Sequence, residues 1–238
     1  MKWKGRVTVP CPLVRCNLGM LLIFAIALAI ASFTLLTVFA NLLAALLAFS
    51  GIVFYVLVYT HWLKRHSTQN IVIGGAAGAI PALVGWAAVT DTLSWAAWFT
   101  FCHCIFMDTP HFWALAMMIR DDYAKVGIPM LPVVAGNQAT VRQIWFYTVI
   151  TVTSTVLLFY PLHASGIVYV VIAMTLGGIF LHKSWRLLQN PEDKTIAKEL
   201  FLYSISYMML LCLGMVIDSL PFTHYLVNTI LHSFHLVG

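Results

Sequence analysis

TPHFWALAMMIRDDYAKVGIPMLP, residues 109–132, joins an apolar helix to a short charged segment and a Gly-Ile-Pro turn. Its first half is too apolar for a solvated surface helix. Its second half gathers Arg120, Asp121, Asp122 and Lys125 within six residues. Adjacent carboxylates at the mouth of a membrane helix are costly unless something pairs with them. Two readings of the segment stand: a solvated, charged helix terminus, or a loop that grips a diphosphate. In the second, Asp121 and Asp122 hold Mg²⁺, which binds through one or two carboxylates plus substrate phosphates, while Arg120 and Lys125 neutralise the phosphate charge.

Working outward, the composition sets the class. The chain has 238 residues, 61% hydrophobic and 9% charged, against roughly 25% charged in a soluble domain. An all-α integral membrane protein of one domain, residues 1–238, follows. Runs near the ~20 residues that cross a bilayer are predicted at 18–39, 42–61, 71–90, 94–118, 143–161, 165–185 and 199–218. Residues 1–17 form a basic segment on the cytoplasmic side, and 219–238 an apolar tail. The net charge of +5 is a topology signal and not a nucleic-acid footprint. All 13 Lys and Arg fall on one side of the seven predicted spans, and the positive-inside rule makes that side cytoplasmic. The cysteines form no disulfide framework: Cys102, Cys104 and Cys212 lie in apolar helices and read as small hydrophobes.

Three further features carry chemistry. The stretch YTHWLKRHSTQN, residues 59–70, places Lys64 and Arg65 where they anchor topology or recognise phosphate, with Tyr59 and Asn70 as neutral hydrogen-bonding partners. IVIGGAAGAIPALVGWAAVT, residues 71–90, carries Gly74, Gly75, Gly78 and Gly85 beside Pro81. That pattern reads as close helix packing, with a ligand cavity beside the proline as the alternative. Finally, Asp108 and His111 lie inside a predicted span, and an ionisable residue there is a functional hypothesis by default. Eleven residues separate His111 from Asp122, an offset of about 20° around a continuous helix, so one polar face is expected from Asp108 through His111 to Asp122. His103 points elsewhere and reads as a packed, hydrogen-bonded histidine. NPEDKTIAKE, residues 190–199, reads as a solvated helix cap.

LKRHSTQNIVIGGAAGAIPALVGWAAVT together with TPHFWALAMMIRDDYAKVGIPMLPVVAG resembles the protohaem IX farnesyltransferases, or haem O synthases, of the UbiA group of membrane prenyltransferases. The resemblance runs from about Arg6 to Asp218. It implies a nine-helix transmembrane bundle, of which about seven spans are present here, around a lipid-open cavity. It also implies transfer of the farnesyl group of farnesyl diphosphate to a vinyl group of haem B, giving haem O and diphosphate for terminal oxidases, with Mg²⁺ as cofactor. Residue by residue, Asp121 and Asp122 fall in the second acidic motif, completed by Tyr123 and Gly127. Lys64 and Arg65 fall in the diphosphate-holding basic loop, with Tyr59 on its leading edge, and His111 matches the Pro-His pair of the subfamily. The implied setting is a multi-pass protein of the inner (plasma) membrane with its active site facing the cytoplasm, working beside haem A synthase or terminal oxidase assembly.

Two departures from the family pattern bear on activity. Met107 and Asp108 stand where members usually carry Trp-Gln or Trp-Thr. The first acidic motif is missing, MKWKGR at residues 1–6 resembles the remnant of the stretch that follows it, and weak or no activity is expected on that ground. Two alternatives accompany the leading reading: a UbiA-type enzyme acting on a quinone-precursor ring, and a non-catalytic membrane paralogue or haem-binding scaffold.

Overall fold

Long apolar runs with no water to satisfy their backbone leave the helix as the only open solution, and the computed structural model is helical throughout its regular structure. It describes residues 18–63, 67–125, 127–158 and 167–220. The basic opening segment, Lys64, Arg65 and the tail from residue 221 lie outside the described residues.

The first helix, α1 (Leu18–Phe39), turns into α2 (Leu42–Val53), which continues as a π-helix (Phe54–Leu63). There follow α3 (Asn70–Thr90), α4 (Trp95–Met118), a short α5 (Arg120–Lys125), a single turn α6 (Leu131–Val134), α7 (Gly136–Leu157), α8 (Ile167–Gln189) and α9 (Lys194–Asp218). Among the described residues, five stretches are long and apolar enough to cross a membrane: Gly19–Phe39, Leu42–Leu63, Asn70–Thr90, Val168–Gln189 and Lys194–Asp218. The other two long helices, α4 and α7, carry most of the buried polar residues, and α7 starts at Gly136 rather than 143.

The packing has two parts. Helices α4, α7, α8 and α9 close a four-helix ring, each packed on the next and α9 returning to α4. A wing of α1, α2 and α3 extends from the α4 side. Polar bonds stitch the ring where lipid would otherwise leave them unpaired. His103 Nδ1 lies 2.8 Å from Ser154 Oγ between α4 and α7. His111 Nδ1 lies 2.7 Å from Ser204 Oγ between α4 and α9. Thr155 Oγ1 meets the Tyr207 hydroxyl at 2.6 Å, and the Tyr169 hydroxyl donates to the Thr155 carbonyl at 2.8 Å. At the opposite end of the wing, Asn41 caps α2 by accepting from the Ala44 N–H at 2.8 Å, and its amide donates to the Ala87 carbonyl at 2.6 Å.

The expected polar face from Asp108 to Asp122 does not form. The α4 helix ends at Met118, where Ile119 adopts φ −110°, ψ 26°, so the eleven-residue offset no longer measures an angle around one axis. Asp108 and His111 also point apart. Asp108 lies against Gly75 and Gly78 of α3, whereas His111 bonds α9 and stacks on Phe201 with ring centroids 4.5 Å apart.

Candidate active site

Between the wing and α4 lies a cavity of about 920 Å³, within the size range of ligand pockets. On α3 it is walled by Gly74, Gly75, Gly78 and Gly85 beside Pro81, so the glycine pattern serves both close packing and an open space. Pro81 has no N–H to give, which leaves the Ala77 carbonyl without its helical donor, and both residues line the cavity. From α4 come Asp108, Phe112 and Leu115, at helical spacing of four and three residues. Tyr55 and Tyr59 enter from the π-helix, and Tyr123 and Met130 from the charged loop. From Gly74 to Gly85 the α3 wall rises on the order of 16 Å, room for an extended isoprenoid chain.

The π-helix positions the two tyrosines. Thr60 Oγ1 donates to the carbonyl five residues back, on Tyr55, at 2.9 Å. Most π-helical segments are single-turn bulges near functional sites; this one spans ten residues. It stacks Tyr55 and Tyr59 with ring centroids 5.3 Å apart. The Tyr59 ring rests on Gly74, where an added Cβ would stand 2.6 Å from Cε2. A Gly74→Ala substitution therefore displaces the ring without touching the acidic pair. We expect kcat/KM to fall about tenfold, a 1.4 kcal/mol effect, with the thermal midpoint nearly unchanged. Parent-like kinetics would show that the Tyr59 position is irrelevant to binding.

The charged loop stands at the cavity mouth. Asp121 is exposed and Asp122 half-buried, one residue before the cavity-lining Tyr123. Burial raises the Tyr123 phenol above its ordinary value, so it remains a neutral hydrogen-bond donor. Gly127, at φ +68°, closes the turn in a conformation that costs other residues roughly 1 kcal/mol or more. The Gly127 N–H donates to Ala124 and the Ile128 N–H to Tyr123, both at 3.2 Å. Asp122 Oδ1 pairs with Lys125 Nζ at 3.2 Å. Asp121 Oδ2 pairs with Lys194 Nζ at 3.3 Å, so the cap segment read as merely solvated reaches the acidic pair. Asp193 starts α9, its carboxylate held below the usual range by the Thr195 N–H at 2.7 Å and then that of Ile196.

The oxygen-only donor set suits Mg²⁺. Asp121 Oδ1 and Asp122 Oδ2 make no ion pair among the described residues. Those residues gather no group of three or more His, Cys, Asp or Glu side chains fit for a metal. A cation here would complete its shell from substrate oxygens and water.

The other expected site residues divide. Tyr59 lines the cavity. Arg120 is half-buried beside the acidic pair. Asn70, at the start of α3, is fully buried, and neither its amide nitrogen nor its oxygen has a partner among the described residues. His111 is not part of the cavity lining. Tyr55, Phe112 and Lys194 were not singled out as site residues from the sequence, and Tyr123 entered only as part of the acidic motif. The four-residue spacing of Tyr55 and Tyr59 was the available signal for the first, and nothing local marks Lys194.

The sequence profile of the UbiA prenyltransferase family matches residues 9–205. The chain is 73% identical over 229 residues to a protein named protoheme IX farnesyltransferase from Trichormus variabilis, covering 96% of this chain and 72% of that one. The same identity and coverage hold for the protein of that name from Nostoc sp.. The one from Trichodesmium erythraeum is 67% identical over 212 residues, 89% of this chain and 65% of that one. No solved structure matches.

Proposed function

The chain belongs to the UbiA prenyltransferase family, and from that premise we propose that it transfers the farnesyl group of farnesyl diphosphate to a vinyl group of protohaem IX, giving haem O and diphosphate. It is a multi-pass membrane prenyltransferase. The observation that carries the reading is the apolar cavity of about 920 Å³ whose mouth, at Tyr123, adjoins Asp121 and Asp122. The names of relatives up to 73% identical support haem as the acceptor.

The residues divide the work between mouth and cavity. Asp121 and Asp122 hold Mg²⁺, which when bound offsets the charge developing on the departing diphosphate. Arg120, Lys125 and Lys194 surround the same oxygens with positive charge, and Lys64 and Arg65 belong to the same diphosphate-binding set. Tyr59 and Tyr123 donate neutral hydrogen bonds at the mouth, and Asn70, whose buried amide has no partner among the described residues, is read as a further member of this group. Inward, Tyr55, Phe112 and the glycine wall limit the water that reaches the allylic cation and offer it aromatic faces. His111 acts behind the wall: its bond to Ser204 and stacking on Phe201 fix the face of α4 that presents Phe112. The active site faces the cytoplasmic side of the inner membrane, where the product supplies haem A synthase or terminal oxidase assembly.

Expression in a cell that lacks haem O synthesis, followed by pigment extraction, tests the assignment. Haem O in the extract is the expected result, and an extract with unmodified haem B alone would instead bear out the weak or absent activity expected from the sequence. A prenylated quinone-precursor ring with unmodified haem B would instead assign the acceptor to the other branch of the family.

A further inference from the structure

Asp108 is the only carboxylate among the described residues lining the cavity. No hydrogen bond or ion pair to it occurs among the described residues. It is half-buried within the helix bundle of a membrane protein, where an unpaired carboxylate is costly and marks function. Its position is built. Oδ2 lies 2.9 Å from where a Cβ at Gly78 would stand and 3.8 Å from one at Gly75, so two glycines on α3 clear the space it occupies.

Its depth is informative. Gly74, under the Tyr59 ring, precedes Gly75 and Gly78 by one and four residues, a rise on the order of 1.5–6 Å. The carboxylate therefore stands about one helical turn inward of the tyrosine at the mouth. With the diphosphate held at the mouth, C1 of the isoprenoid and the acceptor carbon both fall at this level.

Resting on the function proposed above, we propose that Asp108 accepts the proton released when water adds to the acceptor. The bond between farnesyl C1 and the diphosphate oxygen breaks, and its electron pair leaves with the oxygen. The vinyl π-pair of haem B forms the new C–C bond to C1 from the terminal vinyl carbon, leaving a cation on the carbon attached to the ring. Water supplies the lone pair that quenches this cation, giving the hydroxyl of haem O and one proton, which the Asp108 carboxylate takes. No electron is gained or lost overall, and water is the only co-reactant. The other ionisable cavity groups, Tyr55, Tyr59 and Tyr123, are phenols, which are much poorer proton acceptors than a carboxylate.

The test uses the full chain in membranes, with haem B, farnesyl diphosphate and ¹⁸O-labelled water, and reads the extracted haem by mass. The parent chain gives haem O labelled in the new hydroxyl. In Asp108→Asn and Asp108→Leu the cation instead loses a proton from the adjacent methylene to the released diphosphate, giving the vinyl product. The ratio of haem O to its anhydro form, lighter by one water, then falls about a hundredfold, the scale of general-base catalysis. Asp108→Glu restores most of the ratio. Removing a carboxylate from an apolar cavity does not threaten the fold, and a ratio is independent of yield. Farnesylated haem from all variants at the parental ratio overturns the role of Asp108 alone. Absence of farnesylated haem from the parent chain overturns the functional reading and this inference with it.

Discussion

Replacing Asp121 and Asp122 together by asparagine lowers haem O formation by about a hundredfold or more, while the protein still folds and inserts. The size follows from what the pair does. Metal and preorganised charge at a departing oxyanion are worth several kcal/mol in the transition state, and asparagine at both positions removes the anionic oxygens proposed to hold the cation. The fold is spared because the pairs to Lys125 and Lys194 are largely solvent-exposed, and such pairs contribute about 0–1 kcal/mol. Initial rates in membranes at saturating and limiting Mg²⁺ check this. The variant is expected to lose its metal dependence together with its rate. Unchanged activity would favour a chain that does not use this loop, as a scaffold would not.

Trp113→Ala destabilises the bundle by about 3–5 kcal/mol, the range for truncating a fully buried large side chain. Trp113 is 0% exposed. It meets the Tyr147 ring of α7 edge-on at 5.4 Å and 84°, and so fills the junction between α4 and α7. Its indole N–H has no partner among the described residues, so the loss is one of packing and not of a hydrogen bond. Within a membrane such packing is the main attraction between helices, since lipid is as apolar as the core. Thermal unfolding in detergent should show a large fall in midpoint for Trp113→Ala and a much smaller one for Trp113→Phe. Equal midpoints for parent and alanine variant would mean that α4 and α7 are held by other contacts.

The long helices were legible because a bilayer sets a length, and runs of about 20 apolar residues meet it whatever their detail. The glycines of residues 74–85 and Pro81 were legible as a choice between packing and cavity, and the geometry makes them both. What the sequence did not convey depends on contacts between distant positions. The polar face expected from Asp108 to Asp122 assumed a continuous helix, and the break at Ile119 undid it. The Lys194–Asp121 pair joins residues 73 apart, beyond any local pattern. The π-helix that aims Tyr55 and Tyr59 has no compositional signature in FYVLVYTHWL; it packs on both α2 and α3. His103 was read as a packed histidine, and its bond to Ser154 is of that kind.

The most direct test of a cavity that joins an isoprenoid to haem is transfer itself. Membranes containing the chain are incubated with haem B and farnesyl diphosphate labelled at C1, and the haem fraction is separated and counted. The account predicts label in a haem of the mass of haem O, dependent on Mg²⁺ and lost in the Asp121→Asn, Asp122→Asn double variant. Label that stays in farnesyl diphosphate or farnesol, with haem B recovered unchanged, would contradict it.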